Sequence, residues 1–249
     1  MQNQSPRRKL TEVLRNSTGE RVLIYLLVSL SAALRIVYFF QVRNNPFLNH
    51  PRLDALFHDL WGLSIAHGNF VGDQVFFRAP LYPYILGFIY WIFGHEYLMV
   101  RIVQHLLGIA SVVLVYQIGK RWFDTRTALL AAFLTAVNPM LLYFEGQLLF
   151  ESFLTFLILL WLFVLSMAII RRKLLYWFLA GIVLGLLAIT RPPVLAAGLV
   201  TLLIVGVRTF RKPDIQNWLR PFFALSIGLL LMILPVGGFF WFHKHKKRS

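Results

Sequence analysis

The interval Arg52–Pro83, RLDALFHDLWGLSIAHGNFVGDQVFFRAPLYP, is the longest stretch of the chain that cannot be a membrane span, and it carries three of the ten acidic residues. Apolar runs dominate the rest of the chain. Of its 249 residues, 58% are hydrophobic and 14% are charged. A soluble domain of this size has no core large enough to bury so much apolar surface. The composition therefore predicts an all-α polytopic membrane protein in which this interval forms an outer loop.

The formal net charge of +15 does not indicate a nucleic-acid partner. The lysines and arginines form short clusters between apolar runs, as in the cytoplasmic loops of membrane proteins, and no basic soluble domain is present. Cysteine is absent. This absence excludes disulfides, thiolate catalysis and a Cys-ligated zinc site.

Seven apolar runs are predicted to span the membrane, since about 20 residues cross the hydrocarbon core. They are about Val22–Phe40, Tyr97–Ile118, Ala128–Tyr143, Phe150–Ile170, Leu174–Ile189, Val194–Val207 and Pro221–Phe242. The aromatic run Pro80–Phe93 has only 14 residues and is placed along the outer surface. The basic clusters between the spans then lie on the cytoplasmic side, with the N-terminal tail. Arg35 is expected to snorkel from the outer end of the first span, and Gly181 and Gly185 predict a close helix contact in the fifth.

This arrangement divides the chain into three parts. Residues 1–21 form a cytoplasmic tail, 22–242 form the membrane domain with an outer loop over 41–96, and 243–249 form a basic tail. The basic tail then falls outside, against the positive-inside rule, and directly follows the last span. We therefore expect a chain that is shortened at its C-terminus.

A helical wheel of Arg52–His67 places five apolar side chains on one stripe, which is typical of an amphipathic helix on the bilayer surface. Asp54 and His58 share one flank of this stripe. Asp59 lies on the other flank with Arg52, which we expect to neutralise it. A partly desolvated carboxylate suits a general base, and this favours Asp54. The alternative, that both aspartates only solubilise the polar face, stays open. The stripe consists of Leu53, Leu56, Phe57, Leu60 and Leu63.

Other charged residues lie at the predicted outer face. Arg78 suits a lipid phosphate, with a generic interfacial anchor as the alternative. Glu145 and Glu151 border the fourth span, where acidic residues are costly and indicate function, although Glu151 also suits a helix N-terminus. Arg191 adds a second cation. The histidines interpreted as ordinary interfacial residues are His67, His95 and His105.

The order of several short motifs is similar to that of a known family. The motifs are Asp54 on an amphipathic helix, Gly68-Asn69, Arg78 before Pro80-Leu81-Tyr82, Arg101-x-x-Gln104-x-x-x-Gly108, Tyr143-x-Glu145 and Thr190-Arg191-Pro192. This pattern resembles the GT-C glycosyltransferases of the protein mannosyltransferase and aminoarabinose transferase type, in particular their bacterial branch. The likeness covers about Val22 to Pro235.

The resemblance implies transfer of a sugar, with inversion, from a polyprenyl-phosphate donor to a lipid, polysaccharide or protein acceptor. Transfer takes place at the outer face of the bacterial plasma membrane, with the N-terminus in the cytoplasm. The resemblance assigns Asp54 as the base, Arg78 and less directly Arg191 to the donor phosphate, and Glu145 to the shape of the site. The residues expected to support them are Glu151, His58, Asp59 and Tyr82.

A divalent cation is the one candidate cofactor. Many members of the family carry a second acidic residue directly after the base, whereas this chain has Ala55. The resemblance therefore does not assign a metal site.

Two other functions stay open. A transporter or lipid flippase would need polar groups near the bilayer midplane and usually repeated halves. The charges here cluster at span ends, and the sequence shows no internal repeat. The third interpretation is an inactive fragment, because the chain stops soon after its last span.

Overall fold

The computed structural model describes residues 17–45, 49–70, 79–210 and 215–246, so Arg78 lies outside the described residues. Within these ranges the regular structure is entirely helical, without a strand. Several of the helices are long and apolar enough to cross a membrane. The predicted class, an all-α polytopic membrane protein, is confirmed.

The helices follow one another with short connections. In chain order they are α1 (Ser17–Val42), α2 (Asp54–Ala66), α3 (Leu81–Phe93), α4 (Tyr97–Trp122), α5 (Thr125–Ala136), α6 (Pro139–Gly146), α7 (Glu151–Arg171), α8 (Leu174–Ala188), the 3₁₀ turn Pro192–Val194, α9 (Leu195–Phe210) and α10 (Ile215–Lys246).

The predicted count of seven spans is too high. By length and composition, four described helices can cross a membrane, and a fifth span results if α5 and α6, which meet at 46°, act as one. The four are Thr18–Val42, Tyr97–Trp122, Glu151–Arg171 and Leu219–Gly238.

Backbone breaks and helix length explain the difference. The third predicted span is broken because Asn138 caps a new helix that begins at Pro139, where the fixed φ of proline suits the first turn. Helix α8 has 15 residues. Its length of about 22 Å falls short of a hydrocarbon core of about 30 Å. Helix α9 follows the 3₁₀ turn at Pro192–Val194 and, with 16 residues, is also short for a span.

Helices α2 and α3 form a hairpin in the predicted outer loop. Helix α3 has 13 residues and, as predicted, is not among the helices long enough to cross a membrane. The two helices approach closely through glycines: a Cβ on Gly62 would lie 2.7 Å from Leu86 Cβ, and one on Gly87 would lie 2.6 Å from Ile65 Cγ2. Part of the apolar stripe of α2 is exposed, since Leu53 and Leu60 are 88% and 57% accessible. Such an exposed stripe suits a helix on the bilayer surface.

Helices α8 and α10 pack backbone against backbone. A Cβ on Gly181 would lie 2.1 Å from the carbonyl oxygen of Leu225, and one on Gly185 would lie 2.6 Å from Met232 Cβ. The close helix contact predicted from these two glycines is confirmed. Together with α7 these helices enclose the main apolar core, around Leu184 and Leu225. This core supports the C-terminal side of the site.

Candidate functional site

Glu145, near the end of α6, is the centre of a buried ionic cluster. Its side chain is almost fully buried, as is that of Arg35 in α1. Arg35 Nη2 donates to Glu145 Oε1 at 2.6 Å. His105 Nδ1, from α4, donates to Oε2 at 2.9 Å, because an ionised carboxylate can only accept. Glu145 therefore joins α1, α4 and α6.

Two predictions are corrected by this cluster. Arg35 does not snorkel out of the bundle but is neutralised inside it, since a buried unpaired charge would be far more costly. His105 is not an ordinary interfacial histidine but a partner of Glu145. One sequence signal could have found both residues: an ionisable side chain within an apolar run indicates a functional or paired group.

The Arg-x-x-Gln-x-x-x-Gly motif of α4 binds the backbone of the segment around Glu145. Gln104 Nε2 donates to the carbonyl oxygens of Glu145 at 2.8 Å and Gln147 at 2.7 Å, and Arg101 Nε donates to that of Gly146 at 3.2 Å. Gly108 leaves room for the carboxylate, since a Cβ there would lie 2.0 Å from Glu145 Oε1. Residues spaced by three and four share one helix face. The spacing of the motif thus matches the segment that it holds.

A pocket with a mainly apolar wall lies beside Glu145, between α4, α6 and α7. It is small, with a cavity volume of about 30 Å³. Two buried polar atoms in its wall, Glu151 Oε2 and Ser152 Oγ, have no hydrogen-bond partner among the residues that the structure describes. The wall consists of Gly108, Ser111, Leu141, Phe144, Glu145, Glu151, Ser152 and Thr155.

Glu151 lies in the wall of this pocket, and two other predicted site residues influence its carboxylate electrostatically. Glu151, the first residue of α7, lies close enough to Arg191 and Asp54 to interact electrostatically with both. Asp54 is the exposed first residue of α2, and Arg191 is the exposed residue before the 3₁₀ turn.

A main-chain hydrogen bond joins two of the motifs. The Leu81 N–H donates to the Ile189 carbonyl oxygen at 3.2 Å. The Pro-Leu-Tyr segment therefore lies beside the Thr-Arg-Pro segment. Arg78 precedes Leu81 by three residues but falls outside the described part of the chain.

Asp59 is buried and has different partners from the one predicted. Its Oδ1 accepts from Tyr90 Oη at 2.7 Å and from His95 Nε2 at 2.8 Å, and its Oδ2 accepts from Tyr97 Oη at 2.9 Å. The predicted partner Arg52 is exposed and is not among these donors. Burial, followed by the bond to Asp59, raises the pKa of Tyr90, so its hydroxyl stays protonated and donates. The cluster ties α2 to the end of α3 and the start of α4.

The side chains of His58 in α2 and Tyr82 in α3 are buried between helices rather than exposed in an open cleft. His58 is buried, and its ring meets that of Tyr82 edge-on with centroids 5.2 Å apart. Tyr82 Oη donates to Gln104 Oε1 at 3.0 Å. Burial raises the pKa of Tyr82, and the nearby carboxylates of Glu151 and Asp59 raise it further. Tyr82 thus links the α2–α3 hairpin to Gln104, which binds the backbone of Glu145.

The structure does not assign residues to the candidate cation. Among the described residues, no group of three or more His, Cys, Asp or Glu side chains is arranged to hold a metal ion.

Fold and site together define a polytopic membrane protein whose helices enclose a polar site. The family model described as dolichyl-phosphate-mannose-protein mannosyltransferase matches residues 78–239, which is more than half of the chain. The chain belongs to this family and is a membrane glycosyltransferase of mannosyltransferase-like type. The match contains Glu145, Glu151 and Arg191, whereas Asp54 precedes it. A search among curated proteins finds no match.

Proposed function

We propose that the chain transfers a sugar from a polyprenyl-phosphate carrier to an acceptor, with inversion at the anomeric carbon. Family membership supports the glycosyl transfer. The observation that carries the assignment of the site is the electrostatic grouping of Asp54, Glu151 and Arg191. A polyprenyl phosphate is already a good leaving group, so the reaction needs a base for the acceptor and cations for the departing phosphate.

Asp54 is the proposed base. The acceptor attacks the anomeric carbon on the side opposite the phosphate and gives its proton to the Asp54 carboxylate. The bond between the anomeric carbon and the phosphate oxygen breaks, and its electron pair leaves with the phosphate. Arg191 and Arg78 bind that phosphate, since guanidinium groups match phosphate oxygens with paired hydrogen bonds. The junction of Leu81 with Ile189 supports a shared position for these two arginines.

Glu145 has a positioning role in this mechanism. Both of its carboxylate oxygens are already occupied by Arg35 and His105. Its main-chain carbonyl is held by Gln104, six residues before Glu151 begins α7. Fixing this segment fixes the start of α7, and with it the distance of Glu151 from Arg191.

The proposed setting is the bacterial plasma membrane, with the N-terminus in the cytoplasm and the site at the outer face. The basic clusters between the apolar helices support this orientation. The acceptor is a lipid, a polysaccharide or a protein. A divalent cation stays a candidate cofactor, and transfer measured in EDTA with and without added Mg²⁺ or Mn²⁺ tests it.

The test uses membranes that contain the chain and polyprenyl phosphates carrying radiolabelled hexoses, mannose first. Wild type is expected to move label into a product that is no longer extractable as the donor. Asp54→Asn is expected to slow this transfer by about 100-fold or more, the usual contribution of a general base. Asp124→Asn is the matched control, because Asp124 is an exposed aspartate that caps α5. Equal rates for Asp54→Asn and wild type would show that Asp54 is not the base.

A lipid transporter or flippase is the second candidate. The buried cluster of Arg35, Glu145 and His105 favours it, since ionisable groups within spans often mark a substrate path. Movement of the intact donor between leaflets without release of its sugar would support this function.

A further inference from the structure

Four basic residues lie at the end of the helix bundle opposite the candidate site. Helix α7 has 21 residues, so Arg171 at its end lies about 30 Å from Glu151 at its start. Arg172 and Lys173 follow in the turn to α8. Arg121, in the last turn of α4, lies close enough to Arg171 for the two charges to repel each other. We call these four basic residues the basic cluster.

The carboxylates near this end of the bundle are occupied by other groups. Glu20 of α1 accepts from Lys120 and Tyr116. Asp124 caps α5 and interacts electrostatically with Arg126. None of the ion pairs among the described residues includes a member of the basic cluster. Like charges that lie close together repel, so an anion bound between them would be stabilised.

Two guanidinium groups of the basic cluster are fixed by contacts that do not neutralise them. Arg121 Cζ lies 4.2 Å from the centre of the Phe163 ring, and Arg121 Nη1 donates to the Gln117 carbonyl oxygen at 3.0 Å. Arg171 Nη1 donates to Tyr176 Oη at 3.1 Å. A guanidinium has five N–H donors, so most donors of each arginine have no partner in the described part of the chain. Such groups match phosphate oxygens with paired hydrogen bonds.

Exposed apolar side chains directly follow the basic residues in the chain. Trp122 and Phe123 come after Arg121, and Phe123 is 72% exposed. Two leucines come after Lys173, and the second, Leu175, is 60% exposed. Tryptophan next to a basic residue is typical of the membrane interface. A phospholipid carries its phosphate beside acyl chains and matches both features, whereas a free phosphate matches only the basic residues.

We propose that the basic cluster binds the head group of an anionic phospholipid, with Arg121 and Arg171 on its phosphate and the exposed apolar side chains along its acyl chains. Basic sites between membrane helices suit lipid head groups of this kind. Helices α4 and α7 pack against each other, so the bound lipid bridges their ends and offsets the repulsion between the two arginines. This inference goes beyond the proposed function, because the site lies at the other end of α7 from Glu151.

Native mass spectrometry of the whole chain, released from mild detergent micelles, tests the proposal. The probes are dioleoyl phosphatidylglycerol, dioleoyl phosphatidylcholine and inorganic phosphate. Wild type is expected to bind one phosphatidylglycerol about tenfold more tightly than phosphatidylcholine, whose choline cation is repelled by the basic cluster. Inorganic phosphate at the same concentration is expected not to displace the lipid, because it lacks acyl chains. Displacement by inorganic phosphate would assign the site to a free anion and overturn the proposal.

Variants with the same change of net charge provide matched arms. The double variant Arg121→Gln with Arg171→Gln is expected to weaken phosphatidylglycerol binding about 20-fold, since each basic residue at the membrane surface contributes about fivefold. The control is Arg21→Gln with Arg126→Gln, which removes two exposed cations near the same end of the bundle but outside the basic cluster. The control is expected to bind as wild type does. Lysine at positions 121 and 171 should give an intermediate loss, because the charge stays but the paired hydrogen bonds are lost.

Photolabelling of wild type provides a second measurement that needs no variant. The probe is a phosphatidylglycerol with a photoreactive group in its acyl chain, close to the glycerol. Label is expected at residues 122–123 and 174–175, which follow the basic residues. Excess unlabelled phosphatidylglycerol should suppress this labelling, and phosphatidylcholine should not.

Three further results would overturn the proposal. One is equal affinity of wild type for phosphatidylglycerol and phosphatidylcholine. Another is equal weakening in the control and in the Arg121 and Arg171 variant, since net charge alone would then explain the binding. The third is label spread over the apolar helices without preference for the two segments beside the basic cluster.

Discussion

Replacing Gly108 by alanine tests whether Glu145 is held as tightly as the structure indicates. The new Cβ would lie 2.0 Å from Glu145 Oε1, 2.5 Å from its Cδ and 2.6 Å from Arg35 Nη2. Ordinary contacts between heavy atoms begin near 3.5 Å, so the carboxylate has to move by about 1.5 Å. Such a movement would break its 2.6 Å bond to Arg35.

The expected loss combines two effects of opposite sign. Alanine favours a helix over glycine by about 1 kcal/mol. Separating one partner from a buried ion pair costs about 3–5 kcal/mol. Gly108→Ala is therefore expected to lower the free energy of unfolding by about 2–4 kcal/mol, although the substitution improves helix propensity.

Unfolding in mixed detergent micelles, followed by circular dichroism, measures this loss. Gly237→Ala is the matched control, because a Cβ at this exposed position in α10 meets no atom within 4 Å. The control is expected to gain up to about 1 kcal/mol. If Gly108→Ala proved as stable as Gly237→Ala, the packing of Glu145 against α4 would be refuted.

Three further predictions concern the buried clusters and one helix cap. Glu145→Gln should lower the free energy of unfolding by about 3–5 kcal/mol, because it breaks a buried ion pair. Changing Glu145 and Arg35 together to Met should recover most of this loss, because no charge is then buried alone. If the losses measured for the two single variants simply added up in the double variant, the pairing would be contradicted. Tyr90→Phe removes one of three donors to Asp59 and should lower the free energy of unfolding by about 1.5–3 kcal/mol in the same assay; an unchanged value would contradict the bond. Asp124→Ala removes the α5 cap and should lower the melting temperature near pH 7. Hydrogen bonds from Thr127 lower the pKa of Asp124. The difference in melting temperature between the variant and wild type should therefore be largest above the ordinary pKa of 3.8 and should vanish as pH falls through the lowered pKa. A difference that persists in stronger acid would show that the ionised cap is not its cause.

The helical class of the fold was predictable because it follows from composition and the length of apolar runs. The number of spans was not. Hydropathy alone did not reveal that Asn138 and Pro139 end one helix and start another. The short length of α8, in contrast, was already visible in its apolar run Leu174–Ile189, which has only 16 residues. The contact of Gly181 and Gly185 was predictable, since two small residues four apart leave a groove for another backbone.

A helical wheel could not predict which residues pair with the ionisable side chains. The wheel compares residues within one helix, and so paired Asp59 with Arg52. In the fold the donors to Asp59 come from α3 and the chain after it, 31 to 38 residues away. Arg35 finds Glu145 across 110 positions. The sequence could indicate that these charges need partners, but only tertiary packing selects them.

The central claim is glycosyl transfer, and proteoliposomes that contain the purified chain test it most directly. They would be loaded with polyprenyl phosphate carrying a radiolabelled mannose, together with acceptors extracted from bacterial envelopes. The account predicts labelled, non-donor product and free polyprenyl phosphate in equal amounts, with the product inverted at the anomeric carbon. Label that stays on intact donor, whether or not the donor changes leaflet, would contradict it.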